Sequence, residues 1–146
     1  MSTLLDAYAI IAFLRGEPAA GDVRRILEHE EVWTTAVNAG EVIDRMARLF
    51  EVDDDDVEAS LEMLGIAVHG IDRTVGLDAG RIRAEQYHRT HCAVSLADCI
   101  AVAAALDAGA SLATSDPHLA DVAYAMGVML VPLPDSKGNL PEPSLD

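Results

Sequence analysis

The sequence predicts an α/β fold, with an open, mostly parallel sheet flanked by helices on both faces. Short apolar segments of strand character alternate with longer segments of helical spacing, which is the pattern of a parallel sheet covered on both sides. The length of 146 residues suits a single domain. Half of the residues are hydrophobic (51%), so the chain can bury a substantial core.

The first third of the chain predicts a strand, two helices and a second strand. The apolar run at 4–6 favours the first strand, and 7–14 continue with helical spacing until Arg15–Pro18 breaks the pattern. Pro18 suits the start of a second helix over 19–29. The β-branched and aromatic residues of 31–35 predict the second strand.

The middle of the chain predicts two helices and a third strand. Apolar residues recur every three or four positions in Val37–Phe50, which indicates a helix with one buried face. The six acids of Glu51–Glu58 favour the first turn of another helix, because the helix macrodipole attracts negative charge there. Gly65 ends that helix, and 66–70 predict the third strand.

The last third predicts three more helices and two strands. Asp72 caps a long helix that reaches about Arg89, and Ser95–Ala108 forms the most apolar helix. A strand at 111–114 follows, then a helix over 118–126 and a final strand at 128–131. We therefore assign residues 1–131 to one domain and the proline-rich residues 132–146 to an extended tail.

Charge and composition exclude several classes of protein. The chain has 25 acids against 10 bases, a net charge of −15, which is the wrong sign for binding nucleic acid through a general basic surface. No apolar run reaches the ~18 residues of a membrane span, and no basic leader precedes an apolar stretch. The two cysteines do not predict a disulfide framework. We expect a soluble, cytoplasmic protein without a membrane partner.

Four acids stand at the ends of predicted strands or in the first turns of predicted helices. Asp6 ends the first strand, Asp116 ends the fourth, and Glu41 and Asp98 lie in first turns. The carboxyl ends of parallel strands face the ligand crevice of an open sheet, at the point where strand order reverses. If the first and fourth strands are neighbours, the four carboxylates converge on one site.

Converging carboxylates repel one another unless they share protons or a cation. A donor set of oxygens without His or Cys suits Mg²⁺ or Mn²⁺. Such ions activate water and neutralise the charge that develops on a phosphoryl group. The four acids therefore predict metal-dependent hydrolysis of phosphodiester bonds, in which the ion also lets an acidic protein bind a polyanion.

Helix capping is the alternative explanation for each acid. Asn38–Glu41 and Ser95–Asp98 both have the spacing of a capping box, in which the acid bonds the N-cap amide. Asp116 has the sequence context of an N-cap, and Asp6 could cap the helix that follows it. Asp98 favours a cation site more strongly, because a carboxylate in an otherwise uncharged apolar segment is costly without a cation.

Taken in order, four segments resemble the PIN domain family, and most closely its VapC-type toxins of toxin–antitoxin pairs. They are Leu4-Leu5-Asp6 with the helix after it, Val37–Val42, Ser95–Asp98 and Thr114–Asp116. The resemblance covers nearly the whole chain and implies a Mg²⁺- or Mn²⁺-dependent endoribonuclease. It implies a catalytic and metal-binding role for Asp6, Glu41, Asp98 and Asp116, and a hydroxyl that holds a site water at Thr114.

The resemblance further implies a PIN-like nuclease domain over 1–131, an RNA substrate, a cognate antitoxin protein and a homodimer. One position departs from the family pattern. Many members carry Ser or Thr one or two residues after the first acid, whereas Ala7 and Tyr8 follow Asp6 here. Tyr8 is the candidate to replace that hydroxyl.

An apolar groove for an amphipathic partner helix is a further expectation. The first three predicted helices carry large apolar residues that need not all fit inside the core of a chain this size. They are Ile10, Ile11, Phe13, Ile26, Leu27, Leu49 and Phe50.

Three alternatives stay open at this point. A PIN-type nuclease could act in RNA processing without an antitoxin. A non-catalytic, receiver-like binding module also gathers acids at strand ends, but receivers need a Lys after a late strand, and the only Lys here is Lys137 in the tail. His88, His91 and Cys92 have a spacing compatible with zinc but make an incomplete ligand set.

Overall fold

The computed structural model describes residues 1–142, in which it shows five strands and seven helices. The strands are β1 (Ser2–Leu5), β2 (Glu31–Thr35), β3 (Ala67–His69), β4 (Ser111–Thr114) and β5 (Leu130–Pro132). The helices are α1 (Ala7–Arg15), α2 (Ala20–His29), α3 (Ala36–Phe50), α4 (Asp54–Met63), α5 (Arg73–Gln86), α6 (Leu96–Ala108) and α7 (Pro117–Ala125). The end of the predicted tail, 143–146, lies outside the described residues.

The strands form one parallel sheet in the order β3-β2-β1-β4-β5. β1 and β4 are neighbours, with Thr3 opposite Ser111 and Leu5 opposite Ala113. The chain leaves β1 towards β2 and later returns to the other side of β1 at β4, so strand order reverses between these two strands. The predicted α/β fold is confirmed, and so is the strand pairing on which the predicted site depends.

Side chains of successive residues in the central strands lie on opposite faces of the sheet, so they belong to two separate hydrophobic cores. Leu4 and Leu112 belong to the core formed with α5, α6 and α7. Leu5 and Ala113 belong to the core formed with α1, α2, α3 and α4. Helices therefore cover both faces of the sheet, which explains why its strands are apolar throughout.

Most of the apolar side chains expected to line an open groove are part of the second core. Ile10, Ile11 and Ile26 are 1%, 7% and 9% exposed, and three others of that set pack partly against them. Leu49 alone in the set is largely exposed, at 55%. α1 packs against both α2 and α3, which buries three of the seven residues, whereas four stay at least partly exposed. A groove formed by these residues therefore stays a prediction.

Several element boundaries differ from the prediction by a few residues, among them the first strand, which is Ser2–Leu5 and not 4–6. Two of these differences have a local reason. The helix expected to reach Arg89 ends at Gln86, because His88 and Cys92 exchange two backbone hydrogen bonds (2.8 and 2.9 Å) that turn the chain. The last strand begins at Leu130 instead of Val128. The Val128 amide donates to a carbonyl of α7 at 2.9 Å, so this residue completes the helix end and not the strand.

The segment 133–142 packs beside the carboxyl end of β4. Leu133 is fully buried, and its amide donates to the Thr114 carbonyl at 2.9 Å. The Tyr8 hydroxyl donates to the Pro134 carbonyl at 3.1 Å. These bonds connect the start of the tail to α1 and β4. The division into a domain over 1–131 and a tail over 132–146 stays a prediction.

We predict that Tyr8→Phe loosens the segment 133–142. The change removes the hydroxyl bonded to Pro134 but keeps the ring, so we expect a loss of about 0.5–1.5 kcal/mol in the local stability of this contact. Hydrogen exchange at the Leu133 amide should accelerate by up to about tenfold. Tyr124→Phe is the matched control, because Tyr124 is 80% exposed. Equal exchange rates in the parent and Tyr8→Phe would contradict the prediction.

Candidate active site

Two of the predicted acids lie where strand order reverses, at the carboxyl ends of β1 and β4. Asp6 directly follows β1, and Asp116 follows β4 after one residue. Since β1 and β4 are paired in parallel, both side chains lie at the same edge of the sheet. This edge is the usual place for a ligand crevice in an open α/β sheet.

The three aspartates are held by helix capping. The Asp6 Oδ1 atom accepts from the Ala9 amide at 2.9 Å, at the start of α1. The Asp116 Oδ1 atom accepts from the amide of His118 at 2.8 Å, at the start of α7. Asp98 and Ser95 form a reciprocal capping box with two bonds of 3.0 Å. These three capping predictions are confirmed.

Capping does not use the whole carboxylate in any of these residues. In each aspartate the capping bonds reach a single oxygen, Oδ1 in Asp6 and Asp116 and Oδ2 in Asp98. A carboxylate has about four acceptor positions on two oxygens. The capping and ligand-binding explanations are therefore compatible, since the cap orients the carboxylate while the second oxygen stays outside the capping bond.

Glu41 is held differently from the three aspartates, and its predicted position is wrong. α3 begins at Ala36, with Thr35 as the N-cap, so Glu41 lies beyond the first turn and Asn38 is not a cap. Thr35 takes the N-cap position in place of Asn38, and its hydroxyl accepts a hydrogen bond from the Asn38 amide at 3.0 Å. The Asn38 Nδ2 atom instead donates to Glu41 Oε1 at 2.9 Å. Arg45 lies 3.7 Å from Glu41 Oε2.

Electrostatic interactions connect all four acids. The pKa of Asp6 is raised to about 7, chiefly by burial, with a smaller contribution from the charges of Asp98 and Asp116 and against the lowering effect of hydrogen bonds from Thr114 and Ala9. Burial also raises the pKa of Asp98, and the charges of Asp116 and Glu41 add to this effect. Asp6, Asp98 and Asp116 thus act on one another electrostatically, and Glu41 is connected to them through Asp98. Their catalytic and metal-binding roles stay predictions.

The most compact group of acids lies elsewhere. Within residues 1–142, Asp53, Asp54 and Asp55 are the one group of three or more potential ligand side chains whose atoms lie within 4.8 Å of one another. All three are exposed at the start of α4, where the helix macrodipole stabilises negative charge. This position explains the group without a metal. The four acids of the sheet edge do not form such a group and are more widely spaced.

Thr114 connects two of the acids. Its side chain is fully buried, and its hydroxyl oxygen accepts from the Asp116 amide at 3.0 Å. The same hydroxyl forms a hydrogen bond with the Asp6 carboxylate. Thr114 therefore fixes the end of β4 relative to the end of β1. Its predicted role in holding a site water stays a prediction.

Tyr8 does not replace the hydroxyl that many PIN domains carry after the first acid. Its hydroxyl donates to the Pro134 carbonyl and has a hydrogen bond with the Ser115 side chain. Asp6 receives its side-chain hydroxyl bond from Thr114. The hydroxyl beside the first acid is thus supplied from β4, which a sequence pattern near Asp6 could not reveal.

The zinc alternative gains no support from the structure. The Nδ1 atom of His88 accepts from the amides of Thr90 and His91, both at 3.2 Å. The Cys92 thiol lies 3.9 Å from the His118 carbonyl. Among the described residues, no group of three potential ligands includes His88, His91 or Cys92. Their spacing is explained by the tight turn at 88–92.

We predict that Asp6 makes folding stability depend on pH. Its pKa is raised from 3.8 to about 7 on folding, so the folded protein binds more protons than the unfolded chain between these values. The contribution of Asp6 to the free energy of unfolding is then fully present below about pH 4 and is lost as pH rises through about 7. Asp6→Asn keeps the cap and removes this contribution. Between about pH 5 and about pH 8, the free energy of unfolding should fall less in Asp6→Asn than in the parent, by a difference on the order of 2 kcal/mol.

Urea unfolding in EDTA measures this effect. The matched control is Asp72→Asn, because Asp72 caps α5 by accepting from the Val75 amide at 2.9 Å and is not among the charges that act on Asp6. The control should keep the parent's pH dependence. An Asp6→Asn variant with the same pH dependence as the parent would show that Asp6 ionises normally.

Comparisons with known proteins agree with the fold. The family model described as the PIN domain matches residues 3–124. A search of the curated proteins finds no significant match. Among solved structures, FitAcB from Neisseria gonorrhoeae is 24% identical, with a TM-score of 0.63 over 88% of this chain and 95% of that chain.

Two other solved structures are similar at lower identity. VapBC2 from Rickettsia felis, bound to a DNA fragment from its promoter, is 10% identical, with a TM-score of 0.67 over 90% of this chain and 98% of that chain. The sarcin–ricin-loop-cleaving toxin VapC20 from Mycobacterium tuberculosis is 15% identical, with a TM-score of 0.58 over 75% and 85%. These likenesses show the fold, and the family model spans most of the chain, including all four acids. The chain therefore belongs to the PIN domain family.

Proposed function

We propose that this protein is a Mg²⁺- or Mn²⁺-dependent endoribonuclease, acting as the VapC-type toxin of a toxin–antitoxin pair. Membership of the PIN domain family supports hydrolysis of a nucleic acid as the coarse activity. The observation that carries the proposal is that Asp6 and Asp116 lie at the carboxyl ends of the paired strands β1 and β4. Asp98 acts electrostatically on Asp6, and Glu41 acts on Asp98.

The four acids fit a hard divalent cation. All their donors are carboxylate oxygens, which Mg²⁺ and Mn²⁺ prefer. The raised pKa values of Asp6 and Asp98 show that burial and like charges oppose full ionisation of the site. A divalent cation would relieve that opposition by neutralising the negative charge. A bound Mg²⁺ or Mn²⁺ supplies Lewis acidity and activates water for attack on a phosphodiester.

The chain's own residues orient the reacting groups. The capping bonds of Asp6, Asp98 and Asp116 fix the directions of three carboxylates, and Thr114 links the first to the third. In the hydrolysis, water adds to phosphorus, one P–O ester bond breaks, and the leaving oxygen takes up a proton. No Ser or Cys nucleophile is required, since water attacks directly.

RNA is the proposed substrate, and the cytoplasm is the proposed location of the activity. The similarity to a toxin that cleaves the sarcin–ricin loop supports an RNA substrate. The net charge of −15 disfavours binding a polyanion over a wide surface. Recognition must therefore rely on local contacts near the acids. Within residues 1–142, no helix is long and apolar enough to span a membrane.

An antitoxin protein and a second copy of this chain are the proposed partners. One of the similar structures is a toxin–antitoxin complex from Klebsiella pneumoniae. A basic side chain from the antitoxin would be attracted to the acidic site. Leu49 and Met63, which are 55% and 87% exposed, offer apolar contacts on α3 and α4.

We predict that Asp98→Asn and Asp116→Asn abolish Mn²⁺-dependent RNA cleavage without unfolding the protein. Each change removes one charge from a repelling group and keeps a side chain that can still serve at the helix start. In EDTA the variants should be as stable as the parent, or more stable by on the order of 1 kcal/mol. Thermal unfolding with and without Mn²⁺, beside RNA cleavage, measures both properties.

Asp53→Asn is the matched control for this experiment, because Asp53 belongs to the compact exposed group at the start of α4. It should keep both the Mn²⁺ stabilisation, which binding to the folded state produces, and the cleavage. Parental cleavage rates in Asp98→Asn and Asp116→Asn would overturn the proposed mechanism. Loss of activity in Asp53→Asn alone would move the metal site to α4.

We predict that co-expression with the neighbouring open reading frame of its operon yields a complex with a small antitoxin. Sedimentation of the purified complex should show two copies of this chain, each with bound partner, and RNA cleavage should rise when the partner is removed. A monomeric chain that binds no product of the operon, yet cleaves RNA in Mn²⁺, would favour the alternative of an RNA-processing nuclease without antitoxin.

A further inference from the structure

Asn38 is a buried polar side chain beside the acidic site that the sequence pattern assigned to helix capping. It is 2% exposed and lies one turn before Glu41 on α3. Its Nδ2 atom donates to Glu41 Oε1 at 2.9 Å. Its Oδ1 atom is buried and, within residues 1–142, has no hydrogen-bond partner.

The orientation of the Asn38 amide follows from the charge of Glu41. With the amide reversed, Oδ1 would face the Glu41 carboxylate, and two acceptors would meet without a proton between them. The donor must therefore face Glu41, and Oδ1 must face the interior. Leaving a buried carbonyl oxygen unsatisfied opposes folding. Stability alone would favour a leucine of similar size, so the asparagine needs another explanation.

Glu41 is the acid of the site that most needs an external support. The three aspartates accept bonds from backbone amides at helix starts, whereas Glu41 has a longer side chain and lies beyond the first turn of α3. Arg45, at 3.7 Å from Oε2, is beyond ordinary hydrogen-bond distance. The Asn38 bond is thus the short contact that orients the Glu41 carboxylate.

We infer that Asn38 is a positioning residue, which holds Glu41 in the orientation needed for a divalent cation at the acidic site. The inference rests on the proposed function, since it concerns the same cation. A side chain that hydrogen-bonds to a metal ligand, and not to the metal itself, typically contributes 10- to 100-fold to metal affinity. An unsatisfied buried oxygen is then tolerated because the opposite end of the same amide orients Glu41.

Asn38→Leu tests the inference, with Mn²⁺ alone as the probe. In EDTA the melting temperature of the variant should equal or exceed that of the parent, because the unsatisfied oxygen is removed. In calorimetric titration, its Kd for Mn²⁺ should rise by about 10- to 100-fold. Asn38→Ala removes the amide without adding bulk, and its Mn²⁺ affinity should fall in the same range even if its stability also falls.

Thr3→Val is the matched control, because Thr3 is also a buried polar residue, 1% exposed, at the opposite end of the sheet. Its hydroxyl bonds to Glu30, away from the four acids. The control should keep the parent's Kd for Mn²⁺ and should not gain stability in EDTA.

The outcomes separate this inference from the proposed function. A parent that binds Mn²⁺ and an Asn38→Leu variant that binds it equally well would overturn the inference and leave the proposed function standing. Lower stability of both Asn38 variants in EDTA, with unchanged Mn²⁺ affinity, would assign Asn38 a purely structural role. A parent without any Mn²⁺ response would overturn the proposed function, and the inference with it.

Discussion

Burial of carboxylates at the edge between β1 and β4, with the repulsion between them added to it, is the constraint on which the rest of the site depends. Asp6 is 6% exposed, and its pKa of about 7 reflects burial together with the nearby charges of Asp98 and Asp116. A group of carboxylates with this property does not assemble by its own attraction. The surrounding fold must hold them, and it does so with elements whose positions are set by two large hydrophobic cores.

Hydrogen bonds at the N-termini of α1, α6 and α7 hold the three aspartates in place. An N-cap bond fixes a carboxylate within hydrogen-bond distance of backbone amides, and the macrodipole at the same place favours its negative charge. α1, α6 and α7 all begin at the same edge of the sheet, with Asp6, Asp98 and Asp116 in their first turns or caps. The bonds that stabilise three helices thus also orient three carboxylates. Capping and chemistry are two properties of the same residues.

Connections between distant parts of the chain complete the site. Thr114 joins the end of β4 to the end of β1 through one hydroxyl, which bonds to both Asp6 and the Asp116 amide. Tyr8 joins α1 to the start of the tail at Pro134. The Thr114 connection exists because β1 and β4 are paired, which places the ends of the two strands side by side. The order of the strands therefore determines which residues surround Asp6.

The sequence by itself determined the alternation of strands and helices, the apolar character of the strands and the caps at Asp6, Asp98 and Asp116. These features are local, because periodicity and capping depend on residues a few positions apart. Only the tertiary structure decided that β1 pairs with β4, that Thr35 and not Asn38 caps α3, and that Thr114 bonds to Asp6. Strand pairing and the Thr114 bond join segments more than 100 residues apart, and the choice of cap depends on where β2 ends in the sheet. No short-range pattern contains that information.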